Sequence, residues 1–222
     1  RDKAYVLGYL AADGSLDIEK GQISFFDEDI RQLKIVKNKF EKLYNIEGKI
    51  FKSEEENMFE LRFYGKKETH ELFTFNSSGT YTWKVPRSVL NREGLAYWIR
   101  GFFDGDGSVY LRAAEYGRRS YQIELWSANL EGLQEVREIL ENEFFVRCGK
   151  IEEREEVDEE GQIRINYRFT ITHRDNITKF YARIGSNHPE KKWRFQEILK
   201  RYSMTRKEWK KYRKELAEKG KR

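Results

Sequence analysis

Trp98-Ile99-Arg100-Gly101-Phe102-Phe103-Asp104-Gly105-Asp106-Gly107-Ser108-Val109 is apolar and helical in character until it breaks into glycine steps around two aspartates. Tyr5-Val6-Leu7-Gly8-Tyr9-Leu10-Ala11-Ala12-Asp13-Gly14-Ser15-Leu16 aligns with it without a gap, 93 residues earlier. Gly8 falls on Gly101, Asp13 on Asp106, and Gly14-Ser15 on Gly107-Ser108. In each copy two small residues stand four apart, Gly8 with Ala12 and Gly101 with Gly105. On a helix that spacing puts both on one face, one turn apart. Two such faces can pack backbone to backbone, as small-xxx-small faces do. Each helix then stops at an aspartate followed by glycine.

The rest of the chain repeats around these two stretches. The periodicity predicts a helix over 3–12, a strand over 21–26 and a helix carrying Ile30, Leu33, Val36, Phe40 and Leu43, capped by Asp27 or Asp29. Strands follow at 46–52 and 58–64, a short helix at 66–75 and a connector around Lys84-Val85-Pro86. The second half runs in the same order: a helix over 94–103, strands at 109–112 and 121–126, and a helix over 130–144. Strands at 150–157 and 163–172 and a helix over 177–184 complete it. The expected class is α+β, an α-β-β-α-β-β-α order occurring twice, with lobes at 1–92 and 93–187 related by a pseudo-twofold axis. Residues 188–222 read as basic helices, with Pro189 suited to a first turn and Thr205 and Glu208 at capping-box spacing.

Charge sharpens the reading. A helix C-terminus carries a partial charge of roughly −0.5. Two such ends side by side would crowd Asp13 and Asp106 unless a cation sits between them. Carboxylates with the Ala12 and Gly105 carbonyls are hard oxygen donors, which favour Mg²⁺ or Ca²⁺. Water and phosphate oxygens would complete the shell, an arrangement suited to phosphodiester hydrolysis.

The 222 residues carry a net charge of +5, distributed unevenly. His188 to Arg222 holds fourteen lysines and arginines against five acids, so the basic end is a footprint for polyanions. The single cysteine, Cys148, excludes an internal disulfide and a cysteine-based zinc site, and fits a reducing, intracellular compartment. The three histidines are scattered, and no apolar run approaches the ~20 residues of a bilayer span. Arg1 in place of Met leads us to expect a segment trimmed or excised from something longer.

Both stretches resemble the nine-residue motif of the LAGLIDADG homing endonucleases, over Val6–Gly14 and Ile99–Gly107. With the doubled helix and strand order, the resemblance extends over about residues 3–202. It implies a monomeric, single-chain endonuclease of the kind encoded within introns or inteins. Two saddle-shaped antiparallel sheets would bind a long double-stranded DNA site, with the motif helices at the lobe interface. Both strands would be cut across the minor groove with Mg²⁺, Ca²⁺ or Mn²⁺ being possible substitutes. The resemblance puts the metal-binding acids on Asp13 and Asp106 and leaves Asp104 outside the ligand set. It places an active-site lysine at Lys84 in the first repeat and at Lys192, or its neighbour Lys191, in the second. The competing function is an RNA-splicing maturase or a DNA-binding regulator of the same fold that has lost cleavage.

Strand alternation nominates the nucleic-acid face. In the first repeat it offers Gln22, Ser24, Glu60, Arg62 and Tyr64. In the second it offers Gln122, Glu124, Trp126, Arg164, Asn166, Arg168 and Thr170, with Tyr110 and Arg112 beside the active centre. The opposite, apolar set of the last strand is Ile163, Ile165, Tyr167, Phe169 and Ile171. The acidic run over 152–160 runs against electrostatics, since phosphate repels it.

Overall fold

A computed structural model describes the chain except residues 54–56, 76, 113–119, 158–160, 206, 209–210 and 213–222, and except the side chains of 112 and 120. The first repeat comprises α1 (Asp2–Asp13), β1 (Gly14–Asp17), β2 (Gln22–Asp27), α2 (Ile30–Tyr44), β3 (Lys49–Lys52), β4 (Phe59–Tyr64) and α3 (Lys66–Thr74). The second comprises α4 (Arg92–Asp106), β5 (Gly107–Arg112), β6 (Ser120–Ser127), α5 (Leu130–Asn142), β7 (Glu152–Val157), β8 (Ile163–Ile171) and α6 (Arg174–Arg183). A last helix, α7, spans Pro189–Ser203. Each repeat folds into an antiparallel sheet of the same topology, β1-β2-β4-β3 and β5-β6-β8-β7. The strand at Gly14–Asp17 goes unmarked by sequence periodicity; it exists because Gly14-Ser15-Leu16-Asp17 pairs antiparallel with β2.

The molecule is organised around the seam between α1 and α4. A β-carbon on Gly8 would fall 1.9 Å from the Trp98 carbonyl oxygen and 2.9 Å from the Phe102 nitrogen. One on Gly101 would fall 2.0 Å from the Tyr5 carbonyl oxygen and 2.8 Å from the Tyr9 nitrogen. Trp98 and Phe102 occupy the same motif positions as Tyr5 and Tyr9, so the contact is reciprocal: each helix meets the other's glycine with the same stretch of backbone. Only glycine permits this approach. Aromatic side chains flank it. Trp98 and Phe102 stack at 5.6 Å between centroids, and Trp83 from the connector packs on Phe102 at 4.8 Å.

The sheets bury their other apolar faces against α2 and α5. Leu33, Val36 and Phe40 of α2 are fully buried, at the spacing the sequence predicts. Phe40 stacks on Phe63 at 4.1 Å under the first sheet. Leu133, Val136, Ile139 and Leu140 do the same under the second. Asp29, not Asp27, is the N-cap of α2, accepting from Arg31 N at 2.9 Å, and Asn129 caps α5 through Gly132 N at 3.0 Å. Beyond α7, Thr205 and Glu208 form the reciprocal capping box, with Thr205 N donating to the Glu208 carboxylate at 2.8 Å. Most of the helix expected to follow it lies outside the described residues.

Candidate active site and nucleic-acid interface

Both motif helices end on their aspartates, and Gly14 and Gly107 carry the chain straight from helix into edge strand. The two ends lie together. A β-carbon on Gly105 would sit 2.4 Å from the Ala12 β-carbon and 3.0 Å from Asp13 Oδ2, so the Asp13 carboxylate rests against α4. Asp13 and Asp106 are half-buried. Burial, with a smaller push from the Asp27 charge, raises the Asp13 carboxyl to about 6. Burial and then the charge of Asp13 hold Asp106 well above the ordinary carboxylate range. The crowding expected from two acids at two helix C-termini is therefore present, and the nearby Lys191 charge offsets it only in part.

The lysine beside the acids is Lys191. Its ammonium donates to the carbonyls of Phe103 (2.9 Å), Asp104 (2.6 Å) and Gly105 (2.8 Å), capping the C-terminal end of α4. Burial pushes its pKa down, while Asp104, Asp13, Asp27 and Asp106 pull it up. Lys192, expected in this place, is exposed. The reason is helical phase: Lys191 shares the i, i+4, i+7 face of Phe195 and Ile198, both fully buried, and Lys192 is turned about 100° away. Lys84 is also exposed and lines neither cavity at the acids, because its neighbours Trp83 and Val85 take the buried positions.

Residues distant in sequence complete the site. Asp27, at the end of β2, accepts from Tyr9 OH at 2.6 Å and from Asp29 N at 2.7 Å, and faces His188 Nε2 at 3.7 Å. Burial works to raise its pKa, but His188, Tyr9 and the Asp29 N–H outweigh it and hold Asp27 ionised. His188 is also the N-cap of α7, its Nδ1 accepting from Glu190 N at 3.2 Å. Asp104 is buried below the acids and accepts from Tyr5 OH (2.6 Å), Ser186 Oγ (2.5 Å) and Asn187 N (2.9 Å). It fastens the segment that carries His188 and Lys191 to α4. The sequence offered Asp27 only as a helix cap and marked His188 in no motif; folding brings both to Asp13.

Two cavities flank the acid pair. One, of about 650 Å³, is lined by Asp13, Asp27, Gly105, Asp106, His188 and Lys191 among others. The other, of about 380 Å³, is lined by Ala12, Gly14, Thr80, Asp106, Glu156 and Asn166 among others, and by no lysine or arginine among the described residues. The donor set at the helix ends fits a hard divalent cation. Two half-buried carboxylates repel each other, and oxygen ligands surround them. Among the described residues no three histidine, cysteine or acidic side chains are placed to hold one metal ion together, so water and phosphate oxygens would have to fill much of the shell.

The sheets present the predicted faces with two corrections. Gln22, Ser24, Glu60, Arg62 and Tyr64 share one face of the first sheet by register. Ser24, however, is buried: it accepts from Gln22 Nε2 at 2.9 Å and donates to Glu60 at 2.8 Å. Tyr110, Gln122, Glu124, Trp126, Arg164, Asn166, Arg168 and Thr170 share one face of the second sheet. Glu124 is buried there, held by Arg168 at 3.1 Å and Trp126 Nε1 at 3.1 Å and by Gln122. Ser24 and Glu124 thus orient the side chains that cover them. The Arg112 side chain lies outside the described residues. The acidic strand β7 contributes Glu152, Arg154 and Glu156 to the same face, where Glu152 pairs with Arg168 and Arg154, and Glu156 accepts from Asn166. Ile163 and Ile165, expected in the core, are exposed at 65% and 43%, unlike Phe169 and Ile171 near the middle of the sheet.

Residues 93–185 match the family model described as a LAGLIDADG-like domain. The fold of the chain is the LAGLIDADG fold, similar to solved structures at low identity. The homing endonuclease I-DmoI, in a structure of mesophilic variants, aligns at TM-score 0.57 and 19% identity, over 83% of this chain and 94% of that one. I-DmoI in complex with DNA and Mn aligns at 0.56 and 20%, over 84% and 97%. Full-length DUF199/WhiA from Thermatoga maritima aligns at 0.61 and 14%, over 99% and 68%. No curated protein matches the sequence.

Proposed function

We propose that this chain is a site-specific double-strand DNA endonuclease of the homing type, acting as a monomer inside the cell and originating within an intron or intein. The observation that carries the reading is the meeting of Asp13 and Asp106 at two helix ends, with both carboxyls raised by burial and Asp106 further by the charge of Asp13. Nothing in the folding of the chain needs this crowding; binding a divalent cation relieves it. Asp13 and Asp106, with the Ala12 and Gly105 carbonyls, would hold Mg²⁺, for which Ca²⁺ or Mn²⁺ could substitute. Such an ion supplies an activated water and stabilises the leaving oxygen. The polar sheet faces bind and orient the duplex, Arg62, Arg164 and Arg168 toward phosphates and base edges. Lys191 supplies positive charge where the scissile phosphate would lie. Asp27, kept ionised, offers an acceptor for a water proton in the larger cavity. The I-DmoI structures are described in complex with DNA and Mn and with DNA and Ca, which supports both the partner and the ion type.

The test is a cleavage screen on a randomised duplex library with Mg²⁺ and with Ca²⁺, followed by the Asp13→Asn and Asp106→Asn variants on the selected site. Cutting should be abolished in both variants while binding survives. Binding should also weaken steeply with salt as counterions are released. Undiminished cleavage by both variants would falsify the assignment, and tight RNA binding without any cutting would move the function to a maturase.

A further inference from the structure

We propose that Lys191 is a resident counter-charge that makes the two cation positions unequal: the Asp106 carboxylate and Ala12 carbonyl take the first divalent ion, and the Asp13 carboxylate and Gly105 carbonyl take the second, more weakly. The inference rests on the metal-dependent reading above.

The motif copies are matched, and each brings its aspartate near the small residue that precedes the other copy's aspartate. Asp13 Oδ2 lies against Gly105, and Ala12 and Asp106 border the smaller cavity together. What breaks the symmetry is α7. It brings the Lys191 ammonium, which donates to three carbonyls in the last turn of α4, including that of Gly105 at 2.8 Å. A cation entering at Gly105 meets a like charge already on its own ligand, and like charges this close repel strongly in a half-buried site. On the Asp106 side Lys191 acts only through space, with Asp106 the last of the four carboxylates that pull on it, and its three donations all go to α4 and none to the Ala12 carbonyl. The cavity on that side is lined by no lysine or arginine among the described residues, and Lys84, the first-repeat counterpart, is exposed.

Asp27 adds negative charge on the Asp13 side and works in the opposite direction. Its oxygens are already engaged by Tyr9 and the Asp29 N–H, and His188 faces it at 3.7 Å. Direct contact of the Lys191 ammonium with a ligand atom therefore outweighs a carboxylate whose charge is shared.

Titrating the full chain with Mn²⁺, with free Mn²⁺ followed by electron paramagnetic resonance, tests this without any reaction. Two affinities separated by at least about tenfold are expected. Asp106→Asn should remove the tighter one and Asp13→Asn the weaker. Lys191→Met should bring the two within about threefold, and Lys191→Arg should keep them apart. Loss of the tighter site in Asp13→Asn, or an unchanged gap in a folded Lys191→Met, would overturn the inference. Should Lys191→Met fail to fold, the two asparagine variants decide alone. Equal affinities in the parent chain sink this inference only; no bound Mn²⁺ at all, with or without duplex, overturns the nuclease reading with it.

Discussion

Replacing Asp13 by asparagine stabilises the metal-free protein at neutral pH, although it removes an active-site group. The Asp13 carboxyl is raised to about 6 in the folded chain, against about 3.9 in an unfolded one. Below about pH 4 both states hold the proton and Asp13 contributes its full share. As pH rises from about 4 to about 6, the unfolded chain releases its proton while the folded chain must still keep it, so stability is lost. Above that window the loss is complete, and the gap amounts to about 3 kcal/mol. Asparagine has the same shape and no charge to bury. It also lifts the repulsion on Asp106. For a chain of this size the gain corresponds to about 6–12 °C in Tm. Scanning calorimetry in EDTA on both proteins, from about pH 4 to about pH 8, checks it. The curves should coincide at the acid end and separate through the window. Added Ca²⁺ should then narrow the gap, because the parent chain keeps both cation positions and the variant only one. A variant less stable than the parent at about pH 8, or a gap independent of pH, would refute the reasoning.

Other expectations follow from the seam and its supports. Gly8→Ala or Gly101→Ala pushes a methyl into the facing backbone and should cost about 3 kcal/mol, read as a lowered denaturant midpoint. Tyr5→Phe deprives buried Asp104 and Gln32 of a partner and should cost about 2 kcal/mol by the same assay, with DNA cleavage reduced as the Lys191 segment loosens. Arg168→Met leaves Glu124 buried with only Gln122 and Trp126; a loss of about 2 kcal/mol in stability and a shallower salt dependence of DNA binding are expected, the latter measured by fluorescence anisotropy.

What could be read from the residues, and what could not, divides along physical lines. The seam was legible because small residues four apart and an Asp-Gly stop are local signals, as was the 3.6-residue periodicity of Ile30–Tyr44. The strand at Gly14–Asp17 was not, since its one apolar residue, Leu16, makes no alternation and pairing with β2 creates it. Lys191 was within reach: its phase with Phe195 and Ile198 distinguishes it from Lys192. Asp27 and His188 were out of reach, being brought together across most of the chain by tertiary packing. Alternation placed Glu124 on the right face but could not show that Arg168 and Trp126 would close over it. It also put Ile163 and Ile165 in the core, whereas they lie toward the end of a hairpin whose far strand is exposed along its length.

The reciprocal contact of Gly8 and Gly101 sets a limit on how the two repeats can drift apart. Each glycine is held to its identity by the main chain of the other copy, not by a side chain that a compensating change could trim. The sheets, which touch different surroundings, are free to diverge residue by residue. At the seam, neither half can change alone, and no single replacement on the opposite helix can make room for it.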